Sequence, residues 1–463
     1  MQTESNNLKS KGHTRVQWAV AVSVNTAAMT FGLQCGWMSP VSKILQSENS
    51  PIGRPLTDSE LSLIAAIPAL TATFGILASL YIVDAYGRKK GILFTTVAQL
   101  VCWIITICSR NYYSLMVARV FCGFGGGATF HVIPMYVKEI SQDNIRGTLG
   151  TLVTMLQNIG ILAMYALGGY LDYYSVLYLV TVLPVLTILI VYVVPESPSF
   201  SVKQGKLEEA AKTIAFLRGV EVNDKEVECE LNLIKKEREH FESMPKITFL
   251  TMFKDKAMRR GFIIMVIIFS VLALNGTFSI INFAVILLAD SEMKISPEAQ
   301  ALSIPTCLIL GTSITMYAVD KFGRKVLLGV TLGMSSAAFA SLASSMILHK
   351  YGWATPDWLP IAVILVIVCC YGTGVSTVPY VLITEMFSFQ IRAMVMACIC
   401  ILAWHLSFVQ LVSFTAISSA MGVYTSFYIF SANNLFGLIV VVVILPETRG
   451  KSVEQIELKL RGK

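Results

Sequence analysis

The sequence predicts an all-α membrane protein, with twelve transmembrane helices arranged as two six-helix bundles. Three observations carry that prediction: long apolar runs, a one-sided distribution of lysine and arginine, and three short motifs that occur twice. Of the 463 residues, 55% are hydrophobic and only 14% are charged, too little polar surface for a soluble chain of this length. The charges gather in clusters separated by apolar runs of roughly 20 residues, the length that crosses a hydrocarbon core about 30 Å thick.

The runs place spans near 17–38, 61–83, 91–109, 113–137, 147–169, 175–194, 261–289, 299–319, 326–348, 359–384, 393–418 and 423–445. The first, Val16 to Met38, is too long for a signal-peptide core and lacks a small-residue cleavage signature. It is read as a span that leaves the amino terminus in the cytoplasm. With that orientation, 30 lysines and arginines fall on the cytoplasmic side and five fall outside: Lys43, Arg54, Arg110, Lys294 and Lys350. Both termini are therefore expected in the cytoplasm, and the chain is expected to be a multi-pass protein of the cell membrane. The net charge of +7 follows this sidedness, so it argues for a bilayer partner and not for nucleic acid.

Residues 1–194 are expected to form the first bundle and 261–463 the second, with a cytoplasmic tail. Between them, 195–260 reads as a linker with short amphipathic helices: Leu207, Ala211, Ile214 and Leu217 recur at helical spacing, as do Val227, Leu231 and Ile234. The ten cysteines lie in apolar runs, except Cys229 in a charged stretch. No pair occupies an outside loop, so free thiols are expected.

The repeat is specific. Asp84-Ala-Tyr-Gly-Arg88-Lys-Lys follows the second span and Asp320-Lys-Phe-Gly-Arg324-Lys the eighth, 236 positions later. Glu139 with Arg146 recurs as Glu385 with Arg392, and Pro195-Glu196-Ser as Pro446-Glu447-Thr, at offsets of 246 and 251. Three matched pairs in one order on one face make each half a copy of the other in parallel orientation. That is a transporter architecture, with substrate bound near the midplane between halves.

In these motifs, together with Arg119-x-x-x-Gly123, Pro134-Met-Tyr-Val-Lys-Glu139, Pro195-Glu-Ser-Pro198 and Pro446-Glu-Thr-Arg-Gly-Lys-Ser452, the sequence resembles the sugar porter family of the major facilitator superfamily over nearly its whole length. Gly32-x-x-x-Gly36-Trp37-x-Ser39-Pro40 and the stretch from Gly147 to Leu162 are similar to the arthropod branch that includes facilitated trehalose transporters. The resemblance implies a carrier that works by alternating access. It also implies a cytoplasmic gate built from Asp84, Arg88, Arg119, Glu139, Arg146, Glu196, Asp320, Arg324, Glu385, Arg392 and Glu447. Glu139–Arg392 and Arg146–Glu385 are the pairs expected to meet across the halves when the cavity opens outward. The plain alternative is topology, but acids contribute little to topology and have no other reason to recur. An arginine inside a span, as Arg119 is, needs a partner, expected to be Glu196 or Glu139.

The stretch that usually carries sugar-reading amides on span seven is here Leu272-Ala-Leu-Asn275-Gly-Thr-Phe278, and on span five the usual glutamine is matched by Thr154. Span ten offers Tyr380, and span eleven Ala403-Trp404 in place of Asn-Trp. Amides reappear one turn on, at Gln157, Asn275 and Asn282, about 5.4 Å nearer the outside. The expected site is thus displaced outward, lined by Gln34, Thr154, Gln157, Asn275 and Asn282, with Tyr380 and Trp404 as stacking walls. The alternative is that these amides only join helices.

Gln34 stands where proton-coupled relatives carry aspartate, and no acid lies between Glu4 and Glu48. His131 and His405 lie within spans and read as packing residues, so a passive uniporter is expected, for trehalose or a hexose. The competing readings are a carrier of a non-sugar polyol or small polar solute and a non-transporting sensor, the latter disfavoured because both loop motifs and every gate charge are kept. No nucleophile–base set, zinc cluster or phosphate loop occurs, so no enzyme, metal or cofactor is expected; Gly125-Gly126-Gly127 reads as a close helix contact. A monomer suffices for such a site.

Overall fold

A computed structural model of the chain describes residues 14–243, 249–288, 295–353, 355–451 and 453–461, apart from a few side chains within those ranges. Within them it has twelve helices long and apolar enough to cross a membrane, against the twelve expected. Their order is Arg15–Leu45, Asp58–Tyr86, Arg88–Cys108, Tyr112–Ile140, Ile145–Tyr170, Tyr173–Val193, Lys256–Leu287, Pro297–Val319, Arg324–Lys350, Leu359–Met386, Met394–Met421 and Val423–Val443. The largest shift in a boundary is in the first span, which continues past Trp37 as a second helical stretch, Met38–Leu45.

Local chemistry sets several of the starts. Thr57 and Glu60 form a reciprocal capping box at the second span, which satisfies two otherwise orphaned donors. Asn111 and Asp172 accept from the backbone at the fourth and sixth. The seventh and tenth spans are also interrupted. The seventh stops at Ala273 and restarts at Thr277 after Gly276, whose φ of +100° and whose contact with the Phe430 ring exclude a side chain. The tenth carries one wide π-helical turn, Tyr371–Val375, and the freed carbonyls of Gly372 and Thr373 accept from Thr315 of the eighth span. Nothing in the sequence pattern announced that turn.

Small residues bring the backbones together. A methyl at Gly32 would sit 2.0 Å from the Gln157 carbonyl, so the first and fifth spans touch there. The glycine triplet of the fourth span meets three neighbours: Gly125 faces Gln99 of the third, Gly126 faces Phe31 of the first, and Gly127 faces Ala72 of the second. This is the close contact the triplet implied.

The apolar core is divided unevenly along the membrane normal. At the end that the charge bias assigns to the outside, one core runs through both halves, from Phe31, Trp37 and Ile161 to Phe283, Phe339 and Phe414. At the opposite end each half has its own core. One holds Val20, Ile133, Val137 and Ile140; the other holds Met265, Leu328, Ile383 and Val395. The linker helices Pro198–Lys203, Leu207–Arg218 and Lys225–Ser243 belong to the first of these. Leu217 packs in its core, and Arg218 donates to the Ile140 carbonyl at 2.9 Å while gripping Glu230. Met252, farther along, packs in the core of the second half.

Candidate functional site

Two places are assembled by this fold: a charged cluster in each half, at the end that the charge bias assigns to the cytoplasm, and a contact between the halves at mid-depth and toward the opposite end.

In the first half, Arg88 Nη2 and Nε meet the Glu139 carboxylate at 2.8 and 2.9 Å. Glu139 also accepts from the Ser197 hydroxyl. Glu196 sits at the start of the third span and accepts from the backbone N–H groups of Arg88 at 2.9 Å and Lys89 at 3.1 Å, the anion position of a helix N-terminus. Gly87, with φ +101°, is needed for this approach: a methyl there would lie 2.2 Å from Glu196 Oε2.

The second half repeats the pattern, except that Arg324 Nε does not take up the Nε contact of Arg88. Arg324 Nη2 meets Glu385 at 2.8 Å, and Glu385 accepts from Thr448. Glu447 accepts from the N–H groups of Arg324 at 3.2 Å and Lys325 at 3.1 Å. Arg146 and Arg392 also match, each donating at 3.2 Å to the carbonyl five residues back, Ser141 and Phe387. The repeated Ser and Thr of the Pro-Glu-Ser and Pro-Glu-Thr motifs are thus members of the cluster that sequence reasoning passed over. The repetition itself was the available signal.

The two copies differ in electrostatics. Burial raises the Glu196 carboxyl above the ordinary glutamate range despite its backbone donors. At Glu447 burial acts in the same direction, but the N–H groups of Arg449, Arg324, Lys325 and Thr448 outweigh it and lower the carboxyl.

Not every expected gate residue joins these clusters. Asp84 pairs instead with Lys203 at 3.1 Å on the exposed rim, and the side chain of Asp320 lies outside the described residues. Glu139 and Glu385 each pair within their own half. Arg119 is a correction. It touches neither Glu196 nor Glu139; it donates to the carbonyls of Ile64 at 3.3 Å and Gln34 at 3.2 Å and lies 5.4 Å from the Trp37 ring centroid. The reason is distance: Glu139 is twenty residues farther along the same helix, about 30 Å away at 1.5 Å per residue.

At mid-depth, Trp404 packs edge-on to Phe31 across the halves, with centroids 6.4 Å apart, and Phe31 packs in turn on Phe130. Asn158 donates to Thr312 across the halves at 3.1 Å. Thr154 and Gln157 are half-buried beside them on the fifth span. Tyr380 is 40% exposed, its ring edge-on to Phe269. Gln34 is fully buried; its amide donates to the Gln99 carbonyl at 3.1 Å, and its own Oε1 has no partner among the described residues. Asn282 is buried and bonds the Phe278 carbonyl at 2.8 Å.

Asn275 departs from the expected site. It is 1% exposed, its amide nitrogen donates to Asn434 of the twelfth span, and its oxygen accepts from Thr277. With donor and acceptor both engaged, it joins the broken seventh span to its neighbour. His131 meets Ser79 at 3.0 Å, and His405 meets the Ile401 carbonyl at 2.8 Å and Thr73 at 3.4 Å. All ten cysteines are free.

Comparison with known proteins agrees with this geometry. The family model described as sugar (and other) transporter matches residues 19–460. The facilitated trehalose transporter Tret1 of Culex quinquefasciatus is 26% identical over 449 residues, covering 96% of this chain and 86% of the relative. The Drosophila sechellia facilitated trehalose transporter Tret1-2 homolog is 27% identical, with 96% and 91% covered. Against the Tret1 proteins of Aedes aegypti and Anopheles gambiae the chain spans only 55% and 56% of the relative's length. Among solved structures, the inward-open xylose transporter XylE from E. coli superposes with a TM-score of 0.79 at 18% identity, over 96% of this chain and 99% of that one. Its partially occluded inward-open form gives 0.77 at 16% identity, over 93% and 100%.

Proposed function

Because the chain belongs to the sugar transporter family, we propose that it is a facilitative uniporter that moves trehalose or a hexose by alternating access. The observation that carries this reading is the uneven core: shared by both halves at one end, separate at the other. Two bodies fused at one end and parted at the other make half of a rocking cycle. The bodies are 1–194 and 261–463, with 195–260 as the link.

The charged clusters are the switch. In this outside-closed arrangement Glu139 and Glu385 hold Arg88 and Arg324. When the cytoplasmic ends approach, the same carboxylates become available to Arg392 and Arg146 of the opposite half. Passive transport is supported by the partners of Arg119, which are carbonyls and an aromatic face and not an acid that could exchange a proton. Trp404, Phe31, Gln157 and Thr154 line the substrate position at the midplane.

One observation favours a second reading. With Asn275 committed to Asn434, the substrate site has fewer amides to read hydroxyl groups, which suits a small polyol. Uptake of radiolabelled trehalose, glucose and a polyol in a hexose-transport-null host, with and without a pH gradient, separates these outcomes. Sugar uptake indifferent to the gradient supports the uniporter; uptake that stops when the gradient is collapsed removes it.

A further inference from the structure

In an unbroken α-helix the N–H of Val285 bonds the carbonyl of Ile281. In the outer half of the seventh span, residue 283 lies between them with φ −120° and ψ 20°, outside the helical range. The Phe283 ring stacks on Phe414, centroids 5.8 Å apart. Both members of the Val285–Ile281 pair have a partner from the other half of the protein. The Val285 N–H donates to Ser39 Oγ of the first span at 3.2 Å, and the Tyr165 hydroxyl of the fifth span donates to the Ile281 carbonyl. Ser39 is fully buried and Tyr165 is 3% exposed, so neither contact competes with bulk water.

We propose that Ser39 and Tyr165 are positioning residues of the outer gate, which hold the seventh span bent by taking over the two ends of one of its own backbone hydrogen bonds. The physical logic is an exchange. A backbone group left unbonded in an apolar interior is costly, so a kink at Phe283 persists only where something else satisfies Val285 and Ile281. Ser39 and Tyr165 do so only when the halves are together. When the halves part at this end, the two backbone groups lose both partners at once and recover them by bonding each other, which straightens the helix. The closed gate and the bent helix are therefore one state, and the open gate and the straight helix the other. Two further contacts sit at the same end, Lys43 with Glu298 at 3.3 Å and Ser62 with the Leu411 carbonyl at 3.1 Å. Neither involves the backbone pair, so neither couples gate to helix shape.

The proposal takes alternating access from the reading above but needs neither a substrate nor an orientation to be tested. Purified full-length carrier in detergent would carry one of two reporter cysteines, replacing buried Val41 at the outer end or exposed Gly147 at the cytoplasmic end. Maleimide labelling would be corrected for the native thiols with matched variants lacking the reporter. Ser39→Ala and Tyr165→Phe should each speed labelling at position 41 by about tenfold and slow it at 147, the effect of one hydrogen bond on a two-state balance. Ser39→Thr, which keeps the hydroxyl, should stay within about twofold of the parent. The double variant should exceed neither single by much, because both act on one kink. Unchanged labelling in both single variants overturns the proposal. So does faster labelling at both reporters, which marks general loosening, or a Ser39→Thr variant that behaves like Ser39→Ala. Loss of sugar uptake with these labelling shifts intact would leave the gate standing and count only against the assigned substrate.

Discussion

Arg88 and Glu139 stand 51 positions apart and face each other through three hydrogen bonds, the shortest 2.8 Å, with both side chains largely out of solvent. Arg324 and Glu385 form the matching pair in the second half, Nη2 to Oε1 at 2.8 Å. Neither pair crosses between the halves.

That arrangement sets the first prediction. Glu139→Gln should lower the melting temperature of the purified carrier strongly, because removing one member of a buried pair costs about 3–5 kcal/mol. Replacing Arg88 and Glu139 together by Met and Leu should cost much less than the sum of the single changes. A double-mutant cycle on thermal unfolding reads this coupling; strict additivity would show that the pair contributes nothing.

Glu196 and Glu447 should respond to pH differently. Folding lowers the Glu447 carboxyl, so its stabilising contribution is present above the ordinary glutamate value and is lost as pH falls through the folded value. Folding raises Glu196, so its charged form is the unfavourable one, and stability rises as pH falls through the raised value. Glutamine imitates the protonated acid. Glu447→Gln should therefore cost about 1 kcal/mol at pH 7, a charged hydrogen-bond contribution reduced by partial exposure, with the deficit shrinking below pH 5. Glu196→Gln should be close to neutral. Melting curves of both variants at pH 7 and at about pH 4, below the ordinary glutamate value, decide it.

Arg119 makes a sharper case. Its guanidinium satisfies two carbonyls from two other spans, which a lysine cannot do in that geometry. Arg119→Lys should lower the amount of folded carrier severalfold, and Arg119→Leu should do the same despite removing a charge whose insertion costs about 2.5–3.5 kcal/mol. Detergent-resistant protein measured by size-exclusion would read the effect. Normal amounts of the leucine variant would show that the carbonyls need no partner.

Gly32→Ala should abolish uptake, because the added methyl would lie 2.0 Å from the Gln157 carbonyl and must push the first and fifth spans apart. Gly329→Ala is the control: its nearest neighbours would be side-chain carbons at 3.7 Å, ordinary contact, and activity should stay within about twofold of the parent.

At mid-depth, Gln157→Ala and Trp404→Ala should raise KM by tenfold or so if the proposed substrate position is right, each removing a group worth about 1.4 kcal/mol there. Asn275→Ala should leave KM unchanged and lower the melting temperature, because its partner Asn434 is left buried with unmet hydrogen bonds. Uptake kinetics paired with thermal unfolding distinguish the two roles.

The fold was legible because its signals are long and redundant. Twelve apolar runs and three repeated motifs overdetermine twelve spans in two copies, and errors of a few residues at their ends do not alter that. The site was legible only where residues recur. Glu139 and Glu385 stood out by repetition, and Ser197 and Thr448 could have been found the same way. Arg119 was misassigned although helix rise alone places Glu139 too far along the same span. Asn275 was read as facing a substrate because spacing gives a helix face but not what that face meets; its partner, Asn434, is 159 positions away. The roles of Ser39 and Tyr165 depend on a local bend at Phe283 that no periodicity encodes.

The three consecutive glycines of the fourth span each press against a different helix, the third, the first and the second. A strip of backbone enclosed on three sides in this way cannot slide or roll without collision. The first four helices are therefore locked to one another at the level of the triplet, and the fifth is bound to the first just as closely at Gly32 and Gly160. The corresponding rods of the other half are interrupted at residue 276 and across 371–375, which gives that half the looser joints a working cycle can use.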